Sequence, residues 1–554
     1  MSEEKKKLAI IGGGPGGLAA ARVFLANAGD EFDIDLFTND VNVGGIWYFP
    51  HGEDRPERVM YDHLETNLPK HIMQFKDVPF EPHWYKYPRR HEVWVYLKRY
   101  YNQFIRDDKR VNVHLSSEVV NVSYNSWGEN WIVKVLDHAH EGAGSNYIYD
   151  NVIVATGHFS TPRIPEDVAG LDEWFTQGDA FHSRNFFDCE FAKGKRVVVV
   201  GDGSSAQDIV NQCASVAEQV YQSVGSDAAK DEKRYYDGDS HIEVVSRIAS
   251  VDWAKKSVVL VDGRVLEHVD KLVYATGFKY DLQLLDVKLR NDLLPETVTE
   301  EGEGKEHWKA HAQEHAHGHD HGHDHGHSHE HDHGHDHGHD HGHSHEHDHG
   351  HSHDEEHSHD KTRLGAEFEY EDTGCCGDAH GGRGHEDDPN EAVVMSETSG
   401  SKVHNLYEQI FYTKAPSLAF SLLPQRVVPF PLAELQACLM VKAFTGKLAV
   451  PAESTSHYDH LASGHDIPAD EEIGYYRELQ SLLDGAQSTE KDAFTPVQWD
   501  DALAAERAAV AAGKFERNVQ LHANTVAARA AGKQYELIQF PDGAPERGTE
   551  AAYP

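Results

Sequence analysis

At 554 residues the chain is longer than one hydrophobic core serves, so two domains with additions are expected. A formal charge of -42 argues against nucleic-acid partners, which need a basic surface to neutralise phosphates, and equally disfavours anionic membrane surfaces. There is no run of 18 apolar residues, and the charged Met1–Lys7 leads straight into a strand. With five cysteines and no CxxC pair, the reading is a cytoplasmic chain without a signal peptide, membrane anchor or dithiol redox centre.

The first element is a strand, turn and helix. The apolar run Leu8–Ile11 is followed by Gly12, Gly13, Gly14, Pro15, Gly16 and Gly17, and then by the helix-like Leu18–Phe24. In such a loop Gly12 permits the sharp turn, Gly14 lets backbone approach a pyrophosphate, and Gly17 lets the helix pack on its strand. The helix N-terminus adds unpaired N–H groups for phosphate oxygens. Asp33–Phe37 reads as the second strand, and Thr38 stands at its end, where an acidic residue normally holds the adenosine ribose; Asp40 is nearby. A helix is expected over Pro88–Phe104, a meander of short strands over Val111–Val135, and a buried strand over Asp150–Thr156 that closes in Ala155, Thr156, Gly157.

A second loop follows Arg196–Val200 and reads Gly201, Asp202, Gly203, Ser204, Ser205, Ala206, with a helix expected over Gln207–Ala217. Alanine in the third glycine position is an accepted variant of the fingerprint. Lys271–Gly277 repeats the returning strand, closing in Ala275, Thr276, Gly277. Two such loops about 190 residues apart imply two nucleotide cofactors, one flavin and one nicotinamide. More than half of the 43 histidines fall within residues 301–390, alternating with Gly, Asp, Ser and Glu. That tract is expected to be disordered, with weak, interchangeable sites for transition-metal ions and no catalytic metal. Globular composition returns over Val403–Pro451. Ala-rich helices are expected from Phe494 onward, with Thr495, Pro496 and Gln498 as a capping box and Gly513 as the stop.

Further runs carry a family likeness: Val43–Trp47 (VGGIW), Tyr61–Pro69 (YDHLETNLP), Tyr87–Arg90, Ala155–Pro165 (ATGHFSTPRIP) and Asn405–Phe430. In this order the chain resembles the flavin-containing monooxygenases, class B flavoproteins. The resemblance implies an α/β fold with two Rossmann-like dinucleotide-binding domains. The expected divisions are an FAD-binding part at 1–170, an inserted NADPH-binding domain at 171–274, a return at 275–305, the His-rich insertion at 306–402, and a second FAD part with C-terminal helices at 403–554. It implies that NADPH reduces FAD, that O2 adds at flavin C4a, and that the hydroperoxide oxygenates a small soft nucleophile at sulfur or nitrogen. A small thiol and an amine are both left open, as is a homo-oligomer.

By the same resemblance Asn67 is the catalytic residue, since an amide can donate and accept without titrating. Gly12, Gly14, Pro15, Gly16, Gly17, Thr38, Gly45, Ile46, Trp47, Thr66, Asn67 and Leu68 bind cofactor on the first side, and Gly201, Gly203, Ser204, Ser205 and Ala206 on the second. The family's linking stretch is matched only in part, by Gly178, His182 and Phe186, with Thr176 in a phenylalanine position; His182 is therefore read as conformational. The arginine expected for the NADPH 2′-phosphate is missing, and Lys230, Lys233 and Arg234, with Ser223, are the nearby candidates. Three alternatives remain: ketone oxygenation of the Baeyer–Villiger type, disfavoured by Phe186–Phe187 where tryptophan is expected; an NADPH oxidase; and a metal-buffering protein acting through the histidine tract.

Overall fold

The computed structural model describes residues 4–50, 59–140, 142–225, 232–294, 400–453, 465–486 and 491–537, so the histidine tract, Lys230, Cys375 and Cys376 lie outside the described residues. Strand β1 (Lys6–Ile11) runs into helix α1 (Pro15–Ala28), and β2 (Phe32–Phe37) returns parallel to β1 with Ile10 opposite Leu36. Helix α2 (Arg90–Phe104) begins where Glu92 closes a capping box on the backbone of Arg89. Strand β3 (Val111–His114) then pairs parallel with β2. It joins the main sheet and is not part of the expected meander. The antiparallel meander is β4 (Ser117–Asn125), β5 (Asn130–Asp137) and β6 (Ala143–Tyr149). Strand β7 (Asn151–Val154) lies on the other side of β1.

A second sheet is parallel throughout: β8 (Ala180–His182), β9 (Arg196–Val200), β10 (Gln219–Ser223), β11 (Ile242–Val245) and β12 (Lys271–Tyr274), in the order β11-β10-β9-β12-β8. Helix α3 (Ser204–Cys213) follows the second glycine loop, three residues earlier than expected at its start. The all-valine Val197–Val199 is fully buried, as a parallel strand covered on both faces requires.

The chain then completes the first sheet. Strands β13 (Leu406–Tyr407), β14 (Phe411–Tyr412) and β15 (Leu418–Phe420) extend it, and β15 lies parallel to β7 with Ala419 opposite Ile153. Helix α4 (Pro429–Phe444) packs on α1, so that α1 is buried from Gly16 to Leu25. At that interface the Arg22 guanidinium sits 2.9 Å from the Glu434 carboxylate, which also accepts from the Tyr100 hydroxyl at 3.0 Å.

Helices α5 (Glu472–Gly485), α6 (Asp501–Ala508) and α7 (Val510–Ala530) end the described chain. Here the expected capping box fails. Asp500 is the cap, accepting from Leu503 N at 2.9 Å. The residues before it are held by α5, where Gln480 bonds Val497 O and Trp499 N, and Trp499 stacks on Tyr476 at 4.3 Å. Gly513 does not stop a helix but lies inside α7, where a Cβ would come 3.1 Å from the Tyr87 hydroxyl. Its missing side chain serves close packing.

Candidate active site

The first glycine loop is packed closely by several distant segments. Gly12 has φ +118°, and a Cβ there would fall 2.3 Å from Ala155 O; one on Gly17 would fall 1.9 Å from Gly12 O. The VGGIW turn lies against the loop: Gly44 N donates to Gly13 O at 2.9 Å, and a Cβ on Gly45 would be 2.9 Å from the Gly14 Cα. Trp94 holds that turn by donating to Val43 O at 3.1 Å, which leaves Gly45, Ile46 and Trp47 half-buried beside Gly14 and Pro15. Thr38 is buried at the end of β2 and faces Gly13, whose Cβ would lie 3.0 Å away. Of the two β2 carboxylates, Asp35 is engaged by His114, Asn112 and Tyr149 and Asp33 lies 3.7 Å from the Lys5 ammonium.

The second loop opens into a cleft of about 770 Å³. Gly201, at φ +132°, brings its backbone against Ala275, whose O would lie 2.4 Å from a Cβ, and Ala206 is buried behind it. Gly203, Ser204 and Ser205 are exposed to the cleft, and a Cβ on Gly203 would meet nothing within 4 Å. The facing walls are Arg163–Asp167 and Ala275–Lys279, with Gln425, Arg426 and Asp466 at the floor. Three cations thus line the cleft: Arg163, Lys279 (3.7 Å from Glu166) and Arg426 (2.9 Å from Asp466).

Those three were not picked out from the sequence, although Arg163 and Arg426 stand inside the family-like runs. Of the residues that were picked out, Lys230 lies outside the described residues and the other three have partners of their own. Arg234 is buried and grips both oxygens of Asp202 at 2.8 Å, the Ser223 hydroxyl donates to Ser246 O at 3.1 Å, and Lys233 lies over the Phe515 ring at 5.6 Å. Asp202 within the loop needs a counter-charge, and Arg234 supplies it.

The segment Tyr61–Pro69 joins the two sides. Thr66 is buried, with its hydroxyl on Leu68 O at 2.7 Å and its N–H on Pro88 O at 3.0 Å. Asn67 is exposed, and its amide Nδ2 donates to the Ser204 hydroxyl at 3.1 Å. The Tyr61 hydroxyl donates to Asp208 on α3 at 2.5 Å. Asn67 therefore meets the second loop directly, with Tyr61 and Leu64 packed in the core of the second sheet and Leu68 in that of the first. His182 is buried, accepts from Arg184 N at 3.1 Å and meets the Phe278 ring edge-on at 5.0 Å; burial pushes its pKa down to about 4, so it is neutral. Among the described residues no group of three His, Cys, Asp or Glu side chains is arranged to hold a metal ion.

Both loops fit a pyrophosphate. Each helix starts at a glycine N-cap with no side-chain capping bond and no acidic residue in its first turn, which leaves the end N–H groups and the positive dipole end facing the loop. Fold and site together define an α/β protein with two dinucleotide sites.

The comparisons narrow this. The flavin-binding monooxygenase-like family model matches residues 5–230. The thiol-specific monooxygenase of Saccharomyces cerevisiae is 36% identical over 519 residues, covering 94% of this chain and 94% of that protein. The trimethylamine monooxygenase of Pelagibacter ubique is 34% identical over 221 residues, 37% of this chain and 48% of that one. The structure of S-allyl-L-cysteine S-oxygenase from Allium sativum superposes with a TM-score of 0.61 over 96% of this chain and 99% of that one, at 21% identity. The chain belongs to the flavin-containing monooxygenase family, whose cofactors are FAD and NADPH. Among the described residues no helix is long and apolar enough to cross a membrane.

Proposed function

We propose that the protein is a cytoplasmic, NADPH- and O2-dependent monooxygenase that oxygenates the sulfur of a small thiol. One observation carries the oxygenase reading: the amide of Asn67, a group that neither gains nor loses a proton, is held at Ser204 of the second loop, on a segment that packs through Tyr61 and Leu64 on the second sheet's core and through Leu68 on the first's. The thiol class is taken from the relative that matches along 94% of the chain. Amine nitrogen is the other class, as in the trimethylamine enzyme.

When bound, FAD reduced by NADPH supplies the activation of O2, and the protein's part is to bind, orient and exclude water. Gly12–Gly17 and the Gly45–Trp47 turn would hold the FAD pyrophosphate and neighbouring ring system, with Thr38 at the adenosine end. Gly201–Ser205 would hold the NADPH pyrophosphate on the N-terminus of α3. Arg163 is the cleft cation that carries no carboxylate bond among the described ion pairs, and we assign it to NADPH phosphate. Asn67 would offer a fixed donor between the two cofactors without delivering a proton. On this reading residues 1–170, 275–305 and 403–554 serve FAD, and 171–274 serve NADPH.

The test uses the purified holoenzyme. NADPH-dependent O2 uptake and product formation are compared for thiols, thioethers, amines and ketones, and small thiols are expected to stimulate most. Uptake that no nucleophile stimulates, with all of the oxygen recovered as H2O2, would overturn the reading in favour of an oxidase.

A further inference from the structure

Helix α7 lies across both cofactor sides. At its start the Lys514 ammonium donates to Thr66 O at 3.1 Å, and the Arg517 guanidinium holds both oxygens of Glu65, at 3.0 and 2.5 Å. About 22 Å further along the helix axis, Arg529 grips both oxygens of Asp239 at 3.0 and 2.9 Å and bonds Ala214 O. Between them Thr525 donates to Asn211 of α3 at 2.9 Å, in a contact where both residues are fully buried. One helix therefore grips the Glu65 carboxylate and the Thr66 carbonyl at one end and the α3 side of the second loop at the other.

The placement of Lys514 sets it apart from an ordinary counter-ion. Glu65 is already neutralised by the two-pronged Arg517, and Lys514 stands 4.0 Å from it. Its short bond goes instead to the carbonyl of Thr66, which belongs to the peptide unit that carries the nitrogen of Asn67. Fixing that peptide plane fixes where the Asn67 side chain starts. Gly513, next to Lys514, lets the helix approach Tyr87 closely enough for this reach, and the ammonium lies over the Tyr87 ring at 4.8 Å. Burial lowers the Lys514 pKa, so the cation is kept in place against a desolvation cost.

We infer that Lys514 and Arg517 are positioning residues for the oxygenation centre: from α7 they hold the Glu65–Thr66 backbone so that the Asn67 amide meets Ser204 of the second loop. This rests on the role proposed for Asn67. The test compares FAD-loaded wild type with Lys514→Met, which keeps the apolar stem, and Lys514→Arg, which restores a donor; Arg517→Met is a second variant that risks unfolding by stranding Glu65.

In Lys514→Met, amide hydrogen exchange is expected to rise about fivefold within 61–69 and remain unchanged in β1 and α1. H2O2 released per NADPH oxidised is expected to rise about threefold with the NADPH KM within about twofold of wild type. Lys514→Arg should return both readouts toward wild type. The inference is overturned if Lys514→Met is folded and yellow yet shows neither change, or if exchange rises evenly along the chain, which marks a general stability role. A wild type whose turnover no nucleophile stimulates would sink the Asn67 reading, while the exchange pattern would still decide whether α7 holds this segment.

Discussion

The two glycine loops obey one fingerprint and live in different surroundings. Around the first, Thr38, the Gly44–Gly45 turn, Ala155 and Ser421 all lie within 4 Å of where a Cβ would stand on a loop glycine. Around the second, only Gly201 is pressed against backbone, while Gly203, Ser204 and Ser205 face a cleft. The fingerprint dictates the turn and the helix start; segments far away in the chain decide whether the phosphate site is enclosed or open. An enclosed site slows ligand departure and an open one permits exchange, which suits a resident FAD on the first side and an exchanging NADPH on the second.

The comparison breaks hardest at Gly12. Gly12→Ala adds a Cβ 2.3 Å from Ala155 O at a φ of +118°. A cost on the order of 4 kcal/mol or more is expected, read as loss of soluble yellow protein and of the 450 nm flavin absorbance expected of the wild type (roughly the oxidised-flavin band). Next comes the bridge between the loops. Asn67→Leu is expected to keep FAD and to lower product formed per second about 100-fold, with NADPH oxidation diverted to H2O2; unchanged product yield would remove Asn67 from the site.

Gly203→Ala sharpens the contrast, because its φ is -70° and its Cβ would enter open space. It should fold, stay yellow and raise the NADPH KM by about three- to tenfold, since the methyl intrudes where phosphate is expected. Loss of flavin in this variant would contradict the assignment of the two loops.

The smallest effect concerns the cleft floor. His465 is fully buried beside Asp466. Its Nε2 accepts from Val403 N at 3.0 Å and its Nδ1 meets Gln409 at 2.6 Å, so the ring is neutral, and burial pushes its pKa down to about 3. A histidine lowered in the folded state stabilises above its unfolded pKa near 6.5 and loses that contribution as pH falls toward the folded value. The expected slope is about 1.4 kcal/mol per pH unit below about 6. Thermal unfolding from pH 7 down to 5 should show the loss, and His465→Gln should reduce the slope by its own share, that of the buried His182 and His158 remaining, while lowering the midpoint at pH 7.

Much of this was legible in the sequence because it is local. Leu8–Gly17 and Arg196–Ala206 formed the units expected of them, since a buried strand and a glycine with forced geometry are encoded by neighbouring residues. The ordered family-like runs singled out Asn67 as a candidate, and its amide meets Ser204. Among the 2′-phosphate candidates, Arg234 has a partner that the local sequence did not reveal. Arg234 is near the right strand in sequence, but Asp202, 32 residues before it, accepts two hydrogen bonds from its Nη2 and the guanidinium is buried. The C-terminal helix starts failed similarly. Thr495, Pro496 and Gln498 read as a cap, but the residues that follow are held by Gln480 and Tyr476.

The amino-acid order alone thus determined two strand–loop–helix units, the family and the residue types of the cofactor loops, because steric demands on glycine and proline act within a few positions. Only the tertiary structure decided which loop is enclosed, which cations face the cleft and what steadies Asn67. Those outcomes depend on partners as distant as Lys514 and Thr66, which are 448 residues apart. Short-range pattern carries no information about which distant side chain will satisfy a buried carbonyl or carboxylate; the closed packing of the whole chain selects it.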